Sequence, residues 1–193
     1  MNFKKYRPFL ILGGIVLLKW LKEQVMQKPK DVLGKTVKEK IKLFKDKIGP
    51  IARMVQAEMG ISAEIGMIQA AHESAYGTSG LTQKSNNLFG FTAELGTYWR
   101  TQNKPFVTMP TTEWKGGISY KTTRPFRAYE SWEESYRDWA RLMQTANYAK
   151  AGAVNALKTN DLNAFATAMN TAGYATDPAY SAKLLKYKGE LTA

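Results

Sequence analysis

From Pro8 to Leu18 the chain is continuously apolar (PFLILGGIVLL), and Trp20 and Leu21 carry the run past Lys19. It is shorter than the roughly 20 residues that a membrane-spanning helix takes, so Lys19 and Lys22 would have to snorkel or the bilayer thin. The short basic start and apolar run resemble the first two regions of a signal peptide. No small-x-small site follows, so an uncleaved anchor is expected. Lys28-Pro29-Lys30 breaks that element. Val37, Ile41, Phe44 and Ile48 then recur at helical spacing among lysines, an amphipathic basic helix suited to a stalk or a membrane surface. Gly49-Pro50 marks the expected start of the folded domain. Ile51, Met54, Val55 and Met59 form one face of a short helix that Gly60 ends.

The stretch Ile61 to Gly77 reads as a second helix. Ser62 caps it, Glu64 sits in its first turn where the dipole favours an anion, and Gly77 closes it. Thr78 to Lys84 reads as loop. From Asn86 to about Tyr129 the chain is rich in Thr, Tyr, Trp and Val, with Gly and Pro punctuation. Tyr98/Arg100, Phe106/Thr108 and Ile118/Tyr120 suggest short strands of a small antiparallel lobe. Helices return at Ser131-Trp132-Glu133-Glu134, a capping box, with Trp132, Tyr136, Trp139, Leu142 and Met143 as the inward stripe. A short helix is expected over 150–158, and another carries Leu162, Phe165, Ala166 and Met169 to a stop near Gly173. Asp177-Pro178 opens the last, with Tyr180, Leu184 and Tyr187 inward. The pattern is α+β: mostly helices, with one β insertion after the second helix of the domain.

Composition changes this picture in two places. The net charge of +12 is concentrated at the start: residues 1–50 hold 13 Lys and Arg against 4 Asp and Glu, a net +9, and 51–193 hold 15 against 12, a net +3. The basic region has few aromatics, which argues against nucleic acid and for anionic lipid or an anionic wall polymer. The absence of cysteine excludes disulfides, thiolate chemistry and a thiolate zinc site, and His72 is the single imidazole. His72 points roughly 100° around the helix from its neighbour Glu73 and reads as a packing residue.

Glu73 is the candidate for chemistry. Stepping back from it by helical turns gives Ala70, Gln69, Gly66 and Ile65, a small and largely apolar face of the kind that packs on a core. A carboxyl placed there has its pKa raised by burial and by the nearby negative end of the helix dipole. It would keep its proton near neutral pH, as the general acid of a glycosidase must. The other reading is a glutamate at the helix rim with its head in water.

The residues after Glu73 decide between them. Glu73-Ser-Ala-Tyr-Gly77, Ser79-Gly80-Leu81 and Asn86-Asn87-Leu88-Phe89-Gly90 resemble the signature of glycoside hydrolase family 73, the lysozyme-like N-acetylglucosaminidases of bacterial cell walls. The resemblance continues in Thr111-Thr112-Glu113-Trp114, in Phe126-Arg127-Ala128-Tyr129, and in Gly173-Tyr174-Ala175-Thr176-Asp177-Pro178-Ala179-Tyr180. It implies a lysozyme-like fold, Glu73 as the catalytic acid and Glu113 as the carboxylate of the β lobe, with Glu94 the alternative. Substrate assistance by a 2-acetamido group is a third route to the same reaction. The resemblance also implies that Tyr174 lies close to the reacting sugar and that Asn87 and Phe89 form the cleft floor. Trp99, Trp114, Tyr120 and Tyr148 are candidates for stacking on sugar faces, and Asp177 reads as a helix cap.

The expected protein is therefore a peptidoglycan hydrolase acting on glycan strands without metal or organic cofactor. Residues 1–22 would be a membrane anchor, 23–49 a basic stalk and 50–193 the enzyme domain, at the cell envelope of a bacterium or in the membrane of a virion. A lytic transglycosylase, or a non-catalytic wall-binding or membrane-associated module, is the competing reading.

Overall fold

The computed structural model describes residues 35–95, 97–115 and 118–192, and for 112–115 and 118–119 it describes the backbone alone. The expected anchor over residues 1–22 lies outside the described residues. Among those described, no helix is long and apolar enough to cross a membrane. The chain divides into two units between Glu39 and Lys40, and the core and the site described below lie in the second, Lys40–Ala193.

Helix α1 (Val37–Met59) runs straight through the expected boundary, with Pro50 inside it. Pro50 leaves the Asp46 carbonyl without an intrahelical donor, but both residues are on the exposed side where water can replace it. Phe44 and Ile48 join Ala52 and Val55 in the main core. Phe44 meets Trp132 and Tyr76, with ring centroids 5.8 and 5.9 Å away. So the second half of the basic helix is not a free stalk: its apolar stripe is covered by the domain.

Helix α2 (Ala63–Ser74) begins as expected, with Ser62 Oγ accepting from the Ile65 amide at 3.1 Å. It ends earlier than Gly77. Ala75 and Tyr76 are both left-handed, at φ 49° and 59°, before Gly77 at 75°. Two consecutive non-glycine residues in that region are uncommon and strained. Buried Ser74 braces the run, its hydroxyl donating to the Ala70 carbonyl and accepting from the Gly77 amide at 2.8 Å. Gly77 itself is required, since a Cβ there would lie 2.2 Å from Trp132 Cη2.

The segment read as loop contains helix α3 (Gly80–Ser85), capped by Ser79. Tyr98 and Arg100, read as strand, lie in the one-turn helix α4 (Tyr98–Thr101). Strands β1 (Phe106–Lys115) and β2 (Ile118–Arg127) pair antiparallel in unbroken register from Phe106↔Arg127 to Lys115↔Ile118 and make a two-stranded sheet. An isolated bridge between Thr92 and Phe126 ties β2 back to the chain leaving α3.

Helix α5 (Trp132–Met143) is capped by Ser131, and Glu134 reaches one residue past it to the Glu130 amide at 2.9 Å. Helices α6 (Ala146–Lys150), α7 (Ala153–Thr159), α8 (Leu162–Thr171) and α9 (Tyr180–Thr192) complete the unit. The buried faces of α7, α8 and α9, with those of α1, α2 and α5, form one core against which Tyr148 of α6 packs, and α9 packs on both α2 and α8. A mainly helical body with one small antiparallel hairpin is the α+β, lysozyme-like architecture expected.

Candidate active site

Glu73 lies at the last turn of α2, in the wall of a cleft of about 660 Å³. Three parts of the chain close around it. The turn after α3 brings Phe89 and Gly90, the β hairpin brings Arg124 and Arg127, and the loop from Gly173 to Asp177 with the first turn of α9 brings Tyr174 and Tyr180.

Burial pushes the Glu73 carboxyl up to about 7 from an ordinary 4.5. Two groups pull the other way: the Tyr180 hydroxyl, which donates to Glu73 Oε1 at 3.2 Å, and the charge of Lys183 one turn along α9. Lys183 is itself paired with Asp177. Asp177 also accepts from the Ala179 amide at 2.8 Å, so it caps the turn that leads into α9. His72 lines the same cleft. Its ring lies edge-on to Tyr180 and Tyr187, and burial, with Lys183 adding to it, holds its imidazole below the ordinary value while Asp177 works against both. The imidazole is therefore neutral at pH 7 and adds no charge beside Glu73.

Tyr174 lines the same cleft, its hydroxyl donating to the Phe89 carbonyl at 2.8 Å. Phe89 stacks on Trp139 at 5.2 Å between ring centroids, which fixes the floor of the cleft from the core side. Asn87 is 1% exposed and acts beneath that floor. Its amide donates to the carbonyls of Phe91 and Arg127 and its oxygen accepts from the amides of Phe89 and Phe91, which sets the turn. Tyr148 lines the cleft.

The hairpin contributes cations. Arg127 is paired with Asp138 at 2.6 Å and donates to the Thr92 carbonyl at 3.1 Å, so it is a strut as well as a wall. Arg124 is paired with Glu94 at 2.8 Å, and Glu94 does not line the cleft. Glu113 lies in β1 opposite Tyr120, and its side chain and that of Trp114 are outside the described residues. Tyr120 is 46% exposed on β2 and away from Glu73's cleft. Trp99 is not available for stacking on a sugar: it is 1% exposed, packs on Tyr129, and donates its indole N–H to the Pro105 carbonyl at 2.7 Å.

The structure thus gathers Glu73, Phe89, Tyr148 and Tyr174 into one cleft. Sequence reading had Tyr180 inward but missed its bond to Glu73, and it missed the nearby charge of Lys183. The block Phe126-Arg127-Ala128-Tyr129 held the signal for Arg127, although no spacing rule says which face of a hairpin a guanidinium takes.

Comparison with known proteins is consistent with this arrangement. Residues 49–191 match the family model for glucosaminidase, described as mannosyl-glycoprotein endo-beta-N-acetylglucosaminidase. A probable N-acetylmuramidase of Lactococcus lactis subsp. cremoris is 33% identical over 190 residues, covering 93% of this chain and 41% of that protein. The exo-glucosaminidase LytG of Bacillus subtilis is 31% identical over 186 residues, covering 93% of this chain and 64% of that protein. The chain therefore spans less than two thirds of either relative's length. Among solved structures, a mutant peptidoglycan hydrolase from Sphingomonas sp. A1 superposes with a TM-score of 0.62 at 32% identity, covering 76% of this chain and 91% of that one.

Proposed function

The chain belongs to the glucosaminidase family, glycoside hydrolase family 73, and on that premise we propose that it hydrolyses β-1,4 glycosidic bonds in the glycan strands of peptidoglycan, with Glu73 as the general acid. The observation that carries this reading is a carboxyl pushed up to about 7 in the wall of a cleft of about 660 Å³. Such a group still holds its proton at neutral pH and can deliver it to the leaving oxygen as the bond breaks.

The second role falls to Glu113, whose strand forms one side of the hairpin. It serves as base or nucleophile, or it positions water while the substrate's own acetamido group attacks. Tyr174, fixed on Phe89, orients that acetamido group, and Tyr148 gives the sugar apolar surface. The N-terminal apolar run and the lysines after it support tethering at an anionic envelope surface.

Glu73→Gln is the test, assayed for lysis of purified peptidoglycan with folding checked by thermal melt. Activity is expected to fall by about 10²–10⁴-fold; undiminished lysis by a folded variant removes Glu73 from the role. The relatives' names divide between glucosaminidase and muramidase. Mass analysis of the products therefore identifies the bond cut, and anhydro-sugar ends would indicate transglycosylation instead.

A further inference from the structure

The cleft is backed by a chain of side chains that reaches from the core to Glu73. The Trp139 indole N–H donates to Gln69 Oε1 at 2.7 Å, Gln69 Nε2 donates to the Tyr180 hydroxyl at 2.9 Å, and Tyr180 donates to Glu73 Oε1 at 3.2 Å. Trp139 and Gln69 are fully buried and Tyr180 is 3% exposed, so water does not compete for the first two bonds, and the third ends at the cleft. We propose that Gln69, oriented by Trp139, is a positioning residue that fixes the direction of the Tyr180 hydroxyl and so confines the acidic proton of Glu73 to the carboxyl oxygen free for substrate. This inference rests on Glu73 being the acid.

The direction of every bond follows from the first. An indole nitrogen can only donate, so the Gln69 atom facing Trp139 is the amide oxygen. The amide NH₂ then faces Tyr180, whose oxygen accepts from it. Tyr180 has one proton, and among the described residues the only acceptor recorded for it is Glu73 Oε1. A proton placed on Oε1 would strand the tyrosine hydroxyl in a buried site, at the cost of an unsatisfied donor. The neutral acid therefore carries its proton on Oε2, which has no partner among the described residues.

An amide suits this position because it presents one acceptor and one donor on opposite sides and does not titrate. The direction of the chain is then the same at every pH. Donation to Oε1 also favours the carboxylate, which opposes burial and keeps the acid from being too weak to give up its proton. The approach that makes the first bond depends on Gly66, one turn before Gln69: a Cβ there would meet Tyr136 Oη at 1.9 Å and Trp139 Cη2 at 2.8 Å.

The test uses the pH dependence of kcat on soluble uncrosslinked peptidoglycan strands. The charged and titratable groups around Glu73 are His72 on its own helix, Tyr180, Lys183 and Tyr187 on α9, Asp177 and Tyr174 in the loop before it, Tyr148, and Arg124 and Arg127 on the hairpin. All of them except the Tyr180 hydroxyl, which Tyr180→Phe removes by design, stay in place in the variants. Tyr180→Phe removes the donor, so the alkaline limb of kcat is expected to move up by roughly one pH unit. Gln69→Met should move it in the same direction by less and lower kcat about tenfold with KM within about twofold. The double variant should move it no further than Tyr180→Phe alone, because the two act in series.

Trp139→Phe, which releases the Gln69 amide from its fixed orientation, should reproduce the Gln69→Met shift and serves if that variant melts. A limb unmoved in both Gln69→Met and Trp139→Phe, or shifts that add in the double variant, would overturn the proposal. Wild-type lysis by Glu73→Gln would instead overturn the reading beneath it.

Discussion

Gly66 lies directly under Tyr136: a methyl group added at Gly66 would be 1.9 Å from the tyrosine oxygen, well inside contact distance. That hydroxyl donates to the Ala63 carbonyl at 3.2 Å in the first turn of α2. The absence of a side chain at one position thus lets α5 press against the helix that carries Glu73.

Two effects compete in Gly66→Ala. Replacing glycine inside a helix gains about 1 kcal/mol of helix propensity. Overpacking a close-packed site costs about 1–3 kcal/mol, and here the obstructing atoms belong to two fully buried rings that cannot swing into solvent. The clash should win. The expected outcome is a Tm lower by roughly 5 °C in a thermal melt, together with reduced lysis, because Gln69 is carried away from Trp139.

Glu73 makes stability depend on pH. Its folded value of about 7 lies above the ordinary 4.5. The neutral form is therefore the one favoured by folding, and its advantage is complete below 4.5 and lost as pH rises through 7. By linkage the ionised carboxyl costs about 3 kcal/mol above pH 7. Glu73→Gln should therefore match the wild type in Tm at pH 4 and exceed it at pH 8–9, with the gap opening between. A constant gap across that range would show that the carboxyl is not what the fold strains to hold.

Lys183 offers a check on sign. Its charge favours the Glu73 carboxylate, so Lys183→Met should raise the carboxyl's pKa and move the alkaline limb of activity to higher pH. The lysine side chain is 50% exposed, which makes the effect weaker than that of Tyr180→Phe and reduces it further in high salt. A shift to lower pH would be inconsistent with the geometry of the cleft.

Phe44 tests where the folded unit begins. Although it lies among lysines before residue 49, where the family match starts, it is 1% exposed and meets Trp132 and Tyr76. Phe44→Ala should cost about 3–5 kcal/mol, read in a denaturant melt. A chain begun at residue 50 should be destabilised at least as much; equal stability would return α1 to the role of stalk.

The extent to which these features were legible varied with the range of the interactions behind them. The α2 helix was readable because its signals are local: a serine cap, an acidic first turn and a small apolar face ending at Glu73. Gln69 stood out on that face, but its partners lie 70 and 111 residues away, and no periodicity links them. The short helix α3 was read as loop although Ser79 caps it and Asn86 closes it, and the single turn α4 escaped because Trp99 is buried against Tyr129, which overrides the strand preference of Tyr98 and Trp99. Pro50 looked like a boundary by rule, yet the burial of Phe44 and Ile48 on one side of it and Ala52 and Val55 on the other outweighs one missing hydrogen bond. The left-handed Ala75 and Tyr76 were invisible because only glycine advertises that conformation.

The position of His72 has a practical consequence. It is the one histidine in the chain, it borders the cleft beside Glu73, and its Nδ1 is buried without a hydrogen-bond partner among the described residues. Its imidazole is thus a built-in spectroscopic reporter needing no label and no assignment, and a ligand entering the cleft should change its NMR resonances before any bond is cut.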